Sequence, residues 1–529
     1  MKRVVSYALF EGERNANKPG YQERPYYWSY LPLLLRAHAE CWPGWELWIY
    51  HDASLWGSEY GPSLVRAAAS GLCRLIYAGE SQAVCASMLW RMRPMFDPEV
   101  EYFATRDVDA CPAPRELRYI ERWIADQPGG VCHMFHDSDS HSGLMGGMGC
   151  YRAVGLRERL GHPAGPDDLA RRFGRDLGVF GSDQDLLASL VGKADRIDRF
   201  PARDGRDPRD NFGHIGGAIQ TQGPIAWYER FGAPDMKAAM RDAEPWGQLW
   251  SAVALASDPS PTYAFFLPIT ARLWMALGYR PLVQLVGTPA EWLADARLRL
   301  VLDETSRAGA RIHWLGDPAP WYPSALSQWS RLFAHRTPRL HPSTWIVTSD
   351  VDMWPLSGEF FNRRTDGVAL WYANAYAPVW SDAPKWPICY LGANANIWQE
   401  VMGGEGGVAE ATRGLLTADI GPDPSRWTSP SWSDVQWFGD EESFGRRLRA
   451  WPRFPVGVLP IDRAGQPPVD RVDRSAFPAV ATTAGFADAH LLRPGHSSEN
   501  WPRIAPLVTD PDTRAWAETY REKFLELSK

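Results

Sequence analysis

At 529 residues the chain is too long for one ordinary hydrophobic core, and two to four domains are expected. Hydrophobic residues make up 45% and charged residues 22%, the balance of a folded globular protein and not of a disordered one. The formal net charge is −7 with no long Lys/Arg run, which argues against a nucleic-acid-binding face, because such a face needs basic side chains to displace counterions.

The first half opens on a strand, Val4 to Phe10, followed by a polar loop from Glu11 to Arg24. Pro25 to Cys41 carries Tyr30, Leu33, Leu34 and Ala37 at helical spacing and ends at Pro43-Gly44. A second strand spans Trp45 to Tyr50, and a third runs from Leu72 to Tyr77. Strand, helix, strand in this order implies a right-handed crossover and a parallel sheet. Gln82 to Met95 reads as helical, with Arg91 and Arg93 near its end. The run Glu101 to Arg106 then enters the turn Asp107-Val108-Asp109. Arg115 to Ala125 follows as a helix, then a glycine segment, Gly146-Gly147-Met148-Gly149, and a helix start at Ser182-Asp183-Gln184-Asp185. In an open α/β sheet ligands sit beyond the carboxyl ends of the strands, which is where the Asp-Val-Asp turn falls.

The Pro/Ser cluster at Asp258 to Pro261 marks residues 243–262 as a linker between a first domain, 1–242, and a second, 263–529. A strand restarts at Tyr263 to Leu267 and a helix follows from Arg272 to Gly278. Pro281 to Gly287 is a strand, Ala290 to Ala308 a long helix, Arg311 to Leu315 a strand, and Ser324 to His335 a helix carrying Gln328 and Arg331. Thr344 to Ser349 then leads into a second acidic turn, Asp350-Val351-Asp352. Ile388 to Asn396 stands where the glycine segment stood, and Trp437 to Phe444, with Asp440, Glu441 and Glu442, stands where the earlier helix start stood. Asp488 to His496 takes the place of His214, and an aromatic-faced helix from Asp510 to Leu527 ends the chain. The repeated order implies two diverged copies of one architecture.

Residues two apart share one side of an extended chain, so the carboxylates of each turn can face one site. Two carboxylates that close repel each other unless a cation lies between them or one is protonated. A hard divalent ion with oxygen ligands is the simplest remedy. The seven cysteines are scattered, odd in number and without a C-x-x-C pair, so they read as reduced core thiols of a cytoplasmic protein. No apolar leader and no run of about 18 uncharged apolar residues is present, so no membrane span is expected and only peripheral association is left open.

Thr105-Arg106-Asp107-Val108-Asp109-Ala110, Gly146-Gly147-Met148-Gly149 and Ser182-Asp183-Gln184-Asp185, in this order, resemble the bacterial sugar-nucleotide-dependent glycosyltransferases of GT-A type. That family carries an Arg-Asp-x-Asp turn, a Gly-Gly segment and an Asp-Gln helix start. The resemblance covers most of residues 1–235, and the second half departs from it at Asp440-Glu441, where Gln is expected. It implies two tandem GT-A-like, Rossmann-related α/β domains, each a mostly parallel sheet flanked by helices.

The implied reaction moves a sugar from a nucleotide diphosphate to a glycan or other hydroxyl acceptor, with room for two active sites in one chain. Mn²⁺ or Mg²⁺ would neutralise the leaving diphosphate. Asp107, Asp109 and His214 are the candidate ligands in the first copy, and Asp350, Asp352 and His490 in the second, with His496 as the rival of His490. Asp107 and Asp350 are also candidates for the nucleotide, as are Arg106, Gly146 and Gly147. Asn394 and Asn396 are candidates for sugar hydroxyls. An inverting transferase needs a carboxylate to take the acceptor proton, and Asp183, Asp185, Asp440 and Glu441 are the candidates. Two other readings are a sugar-phosphate nucleotidyltransferase, for which Glu11-Gly12-Glu13-Arg14 is a poor phosphate loop, and a non-catalytic carbohydrate-binding or scaffold protein.

Overall fold

The computed structural model describes residues 1–10, 31–58, 60–80, 87–108, 114–137, 147–173, 194–200, 251–338, 340–378, 385–421, 435–465, 469–479 and 482–528. The chain divides into two units, Met1–Pro245 and Trp246–Lys529.

The first unit is built on seven strands: β1 (Lys2–Leu9), β2 (Glu46–His51), β3 (Arg74–Tyr77), β4 (Val100–Arg106), β5 (Cys132–Asp137), β6 (Gly149–Arg152) and β7 (Arg196–Phe200). Their order across the sheet is β3-β2-β1-β4-β6-β5-β7. All neighbours are parallel except β6, which runs against both β4 and β5. Val4, Val5, Tyr7, Phe103 and Ala104 are buried on the two central strands, so both faces of the sheet are covered.

The second unit repeats this plan. Its strands are β8 (Ser251–Ser257), β9 (Tyr279–Val286), β10 (Arg311–Gly316), β11 (Trp345–Thr348), β12 (Met353–Pro355), β13 (Val368–Trp371), β14 (Leu391–Asn394), β15 (Val458–Ile461), β16 (Arg471–Val472) and β17 (Asp488–His490). The main sheet has the order β10-β9-β8-β11-β14-β13-β15, and β14 alone runs against its neighbours β11 and β13. Position for position, this is the arrangement of the first sheet. A small third sheet, β12-β17-β16, lies beyond the end of β11.

The linker expected at 243–262 is not what the second unit shows. Ser251–Ser257 is its first strand, buried along its whole length and flanked in parallel by β9 and β11. Pro261 opens a helix there, and the strand expected at Tyr263 is helical, in Pro261–Ala264 and Leu267–Ala276. Alanine-rich Ser-Ala-Val-Ala-Leu-Ala-Ser has little intrinsic strand preference; burial between two neighbours decides its state. The long helix expected at Ala290 to Ala308 is two helices, Pro289–Ala294 and Ala296–Arg307. The carboxylate of Asp295 caps the second by accepting from the backbone of Arg297 and Leu298.

The C-terminal helix, Pro511–Glu526, closes the second unit. Tyr520 stacks on Phe265 with ring centres 5.3 Å apart and donates its hydroxyl hydrogen to the Phe265 carbonyl at 3.0 Å. Trp516 donates to Glu304 at 3.1 Å. Among the described residues no helix is long and apolar enough to cross a membrane.

Candidate active site

Both acidic turns leave the carboxyl end of a central strand, β4 in the first unit and β11 in the second. In each, the first aspartate meets an arginine from a 3-10 turn that precedes the strand. Arg91, on Leu89–Phe96, pairs with Asp107, and Arg331, on Arg331–Arg336, pairs with Asp350. Both arginines are buried, and both aspartates keep part of their surface open. A desolvated guanidinium thus fixes the first carboxylate of each turn.

Arg106 has a different place from the one expected. Its side chain is 1% exposed, pairs with buried Glu116 and donates to the carbonyls of Gly147 and Gly149 at 3.3 and 3.4 Å. A ligand phosphate has no access to it. Gly147 does lie against the turn: a Cβ there would stand 2.6 Å from the Asp107 carboxylate and 2.8 Å from its backbone nitrogen, so only glycine fits. Gly146, Asp109, Asp183, Asp185 and His214 lie outside the described residues.

In the second unit the turn opens onto a cavity of ≈ 550 Å³ lined by residues of that unit's main sheet and of its small sheet. Asp350, Asp352, Asp440, Glu441 and His490 all face it. The β12–β17 ladder brings Asp352 and His490 together: Met353 pairs with His490, and Leu491 donates to the Asp352 carbonyl at 2.9 Å. One Asp352 oxygen lies 3.4 Å from Arg493 Nε, 3.6 Å from Arg474 Nη1 and 3.8 Å from His490 Nε2. Burial still raises the Asp352 carboxyl above the usual range; His490 offsets part of the rise and Asp350 adds to it. His490 also holds Asp473 well below that range.

His496 is elsewhere, its ring packed between Phe265 and Phe524 at 5.3 and 5.2 Å, so His490 alone of the two reaches the turn. Asn394 and Asn396 are also misplaced by the sequence reading. Strand β14 runs against β11 and pairs Asn394 with Trp345, at the end of β11 remote from the turn. The residues before β14, Pro387, Ile388 and Cys389, are the ones at the cavity.

The helix carrying Asp440 starts at Val435, so Asp440 and Glu441 lie past its first turn and are not its caps. Arg331 bridges the two parts of the wall, pairing with Asp350 and reaching Asp440 at 4.0 Å. Burial pushes the Asp440 carboxyl up to about 7 and that of Glu441 up to about 8, the latter helped by the charge of Asp440. Glu441 Oε1 accepts from the Tyr376 hydroxyl at 2.8 Å, while its Oε2 has no hydrogen-bond partner among the described residues. The sequence reading passed over Tyr376, Arg474 and Arg493; only the last falls in a segment it had singled out.

The donors on this wall suit a divalent cation: carboxylate oxygens from Asp350 and Asp352 and an imidazole nitrogen from His490, facing one cavity. A cation there would also relieve the buried charge of Asp352. Among the described residues no three such groups stand close enough together to hold a metal ion, and Asp350 is paired with Arg331.

No protein-family model matches the chain, and no curated protein matches it. Solved structures similar to it include glycosyltransferases. GlyE of Streptococcus pneumoniae TIGR4 is 11% identical over 63% of this chain and 83% of its own, with a TM-score of 0.32. The bifunctional glycosyltransferase WbbM is 11% identical over 71% of this chain and 66% of its own, at 0.30. A third, S. aureus TarS 1-349, is 12% identical and is covered over 59% of its length by 38% of this chain, at 0.26. At these scores no residue is carried from them onto this chain.

Proposed function

We propose that the second unit is a sugar-nucleotide-dependent glycosyltransferase domain, and that the repeated acidic turn gives the chain a second site of the same class in the first unit. The observation that carries this is that Asp350, Asp352 and His490 line one cavity with two carboxyls whose ionisation burial moves up to about 7 and about 8. The diphosphate of the donor would lie at the Asp352 end, where Arg474 and Arg493 add positive charge. Asp352 and His490, with Asp350 beside them, are the residues that would hold Mn²⁺ or Mg²⁺. Such an ion, when bound, supplies Lewis-acid neutralisation of the leaving diphosphate.

In the transfer step a bond forms between the acceptor oxygen and the anomeric carbon, and the bond from that carbon to the diphosphate oxygen breaks. The proton of the acceptor hydroxyl passes to a carboxylate. Glu441 Oε2, buried and without a hydrogen-bond partner among the described residues, is the oxygen placed for it in an inverting reaction. Arg331 keeps Asp350 and Asp440 in register across the same wall. Cys41, Cys73, Cys132, Cys150 and Cys389 are buried free thiols, which suits a cytoplasmic protein.

The test is a panel of sugar nucleotides incubated with Mn²⁺ and the full chain. At least one donor is turned over by an Asp107→Ala chain, whose second site is intact, and adding Asp352→Ala lowers that rate by at least about 100-fold, the order lost when a charge-stabilising group is removed. A panel left intact refutes the reading.

A further inference from the structure

The contacts along the cavity wall run in one direction. Arg474, Arg493 and His490 surround Asp352 at one end. Arg331 links Asp350 to Asp440. Glu441 follows Asp440 in the chain and is held by Tyr376 at 2.8 Å. Tyr376 is 46% exposed, although it lines the cavity and belongs to a unit whose other large aromatics are mostly buried. A single exposed aromatic is ordinary. One that lines a cavity while hydrogen-bonding a buried carboxyl is placed for a ligand.

Lys385 and Phe438 hold this ring in place. The Lys385 ammonium lies 3.9 Å from the Phe438 ring centre and 5.1 Å from that of Tyr376, so one cation sits between two aromatic faces. Nearly half of the Tyr376 residue stays exposed beside this cation. A flat, rigid, amphipathic surface of this kind suits the apolar face of a sugar ring.

Resting on the transferase reading of this cavity, we propose that Tyr376 is the acceptor platform. Its ring receives a sugar ring of the acceptor, and its hydroxyl orients Glu441 with the second carboxylate oxygen unengaged for the incoming hydroxyl. One side chain thereby couples acceptor binding to proton transfer, which makes Tyr376 a specificity-determining and positioning residue.

The experiment is saturation-transfer NMR on the full chain with UDP or GDP and Mg²⁺, which is diamagnetic, present. Methyl glycosides of glucose, galactose and N-acetylglucosamine are the saccharide probes. The parent protein shows nucleotide and saccharide signals. Tyr376→Ala keeps the nucleotide signal and loses at least about fivefold of the saccharide signal, as loss of one stacking contact requires.

Tyr376→Phe keeps both signals. In turnover it moves the rising pH limb to higher pH, because the lost hydroxyl no longer stabilises the Glu441 anion. Asp440, Lys385 and Asp350 also act on that carboxyl and are unchanged in the variant. A full saccharide signal in Tyr376→Ala overturns the proposal, as does a parent protein that binds nucleotide and no saccharide. Absence of nucleotide binding in the parent overturns the transferase reading itself, and the platform with it.

Discussion

Buried charge behaves differently at three places in this chain. Arg106 and Glu116 form an ion pair, each almost without exposure, so replacing Arg106 takes the counter-charge from a buried carboxylate. Arg106→Gln should destabilise the first unit by about 3–5 kcal/mol, read by chemical denaturation, without weakening nucleotide binding in the second. Asp352 is a carboxylate with several cations nearby, yet burial outweighs them.

Asp440 and Glu441 have each other and the partial offset of Arg331, Tyr376 and Lys385. Their folded values of about 7 and about 8 lie above those of an unfolded chain. Between about pH 4 and those values the folded state therefore binds more protons than the unfolded state, and stability falls as pH rises. Thermal unfolding of the second unit should move to lower temperature from pH 5 to pH 8, and Asp440→Asn should flatten that trend. Turnover should climb over pH 6 to 8 as Glu441 ionises. A flat rate profile there would remove Glu441 as the proton acceptor.

Strand direction governs what the elements present. Both Asp-Val-Asp turns were legible because a β-branched or aromatic strand running into paired acids is a local pattern, and its repetition gave the two-copy architecture. The antiparallel strand was not legible. Nothing in Leu391-Gly392-Ala393-Asn394 states its direction, and reversing it moves Asn394 from the cavity to the end of the strand remote from the turn. Strand β8 was hidden for another reason: its alanines are chosen by close packing and not by strand preference. Arg106 could not be separated from Arg91 as the partner of Asp107, since a guanidinium reads the same whether it faces a ligand or the core.

Gly392 belongs to the same scale. A Cβ there would stand 2.7 Å from the rings of both Trp345 and Trp371, on the strands at either side. Gly392→Val should therefore destabilise the second unit by about 2–3 kcal/mol through overpacking, visible as a lower urea midpoint with an unchanged slope. An unchanged midpoint would mean that β11, β14 and β13 can spread at no cost.

Across the whole molecule, two seven-stranded sheets share one strand order, each with a single strand opposed to its neighbours and an arginine on the first aspartate of its acidic turn. That repetition leads us to expect two nucleotide sites, of which the one at Asp352 is built from described residues. Calorimetric titration of the full chain with UDP and GDP in the presence of Mn²⁺ tests this most directly. Two molecules of one nucleotide should bind per chain, and one per chain for Asp352→Ala. A variant that binds as many molecules as the parent, with the same affinity, would contradict it.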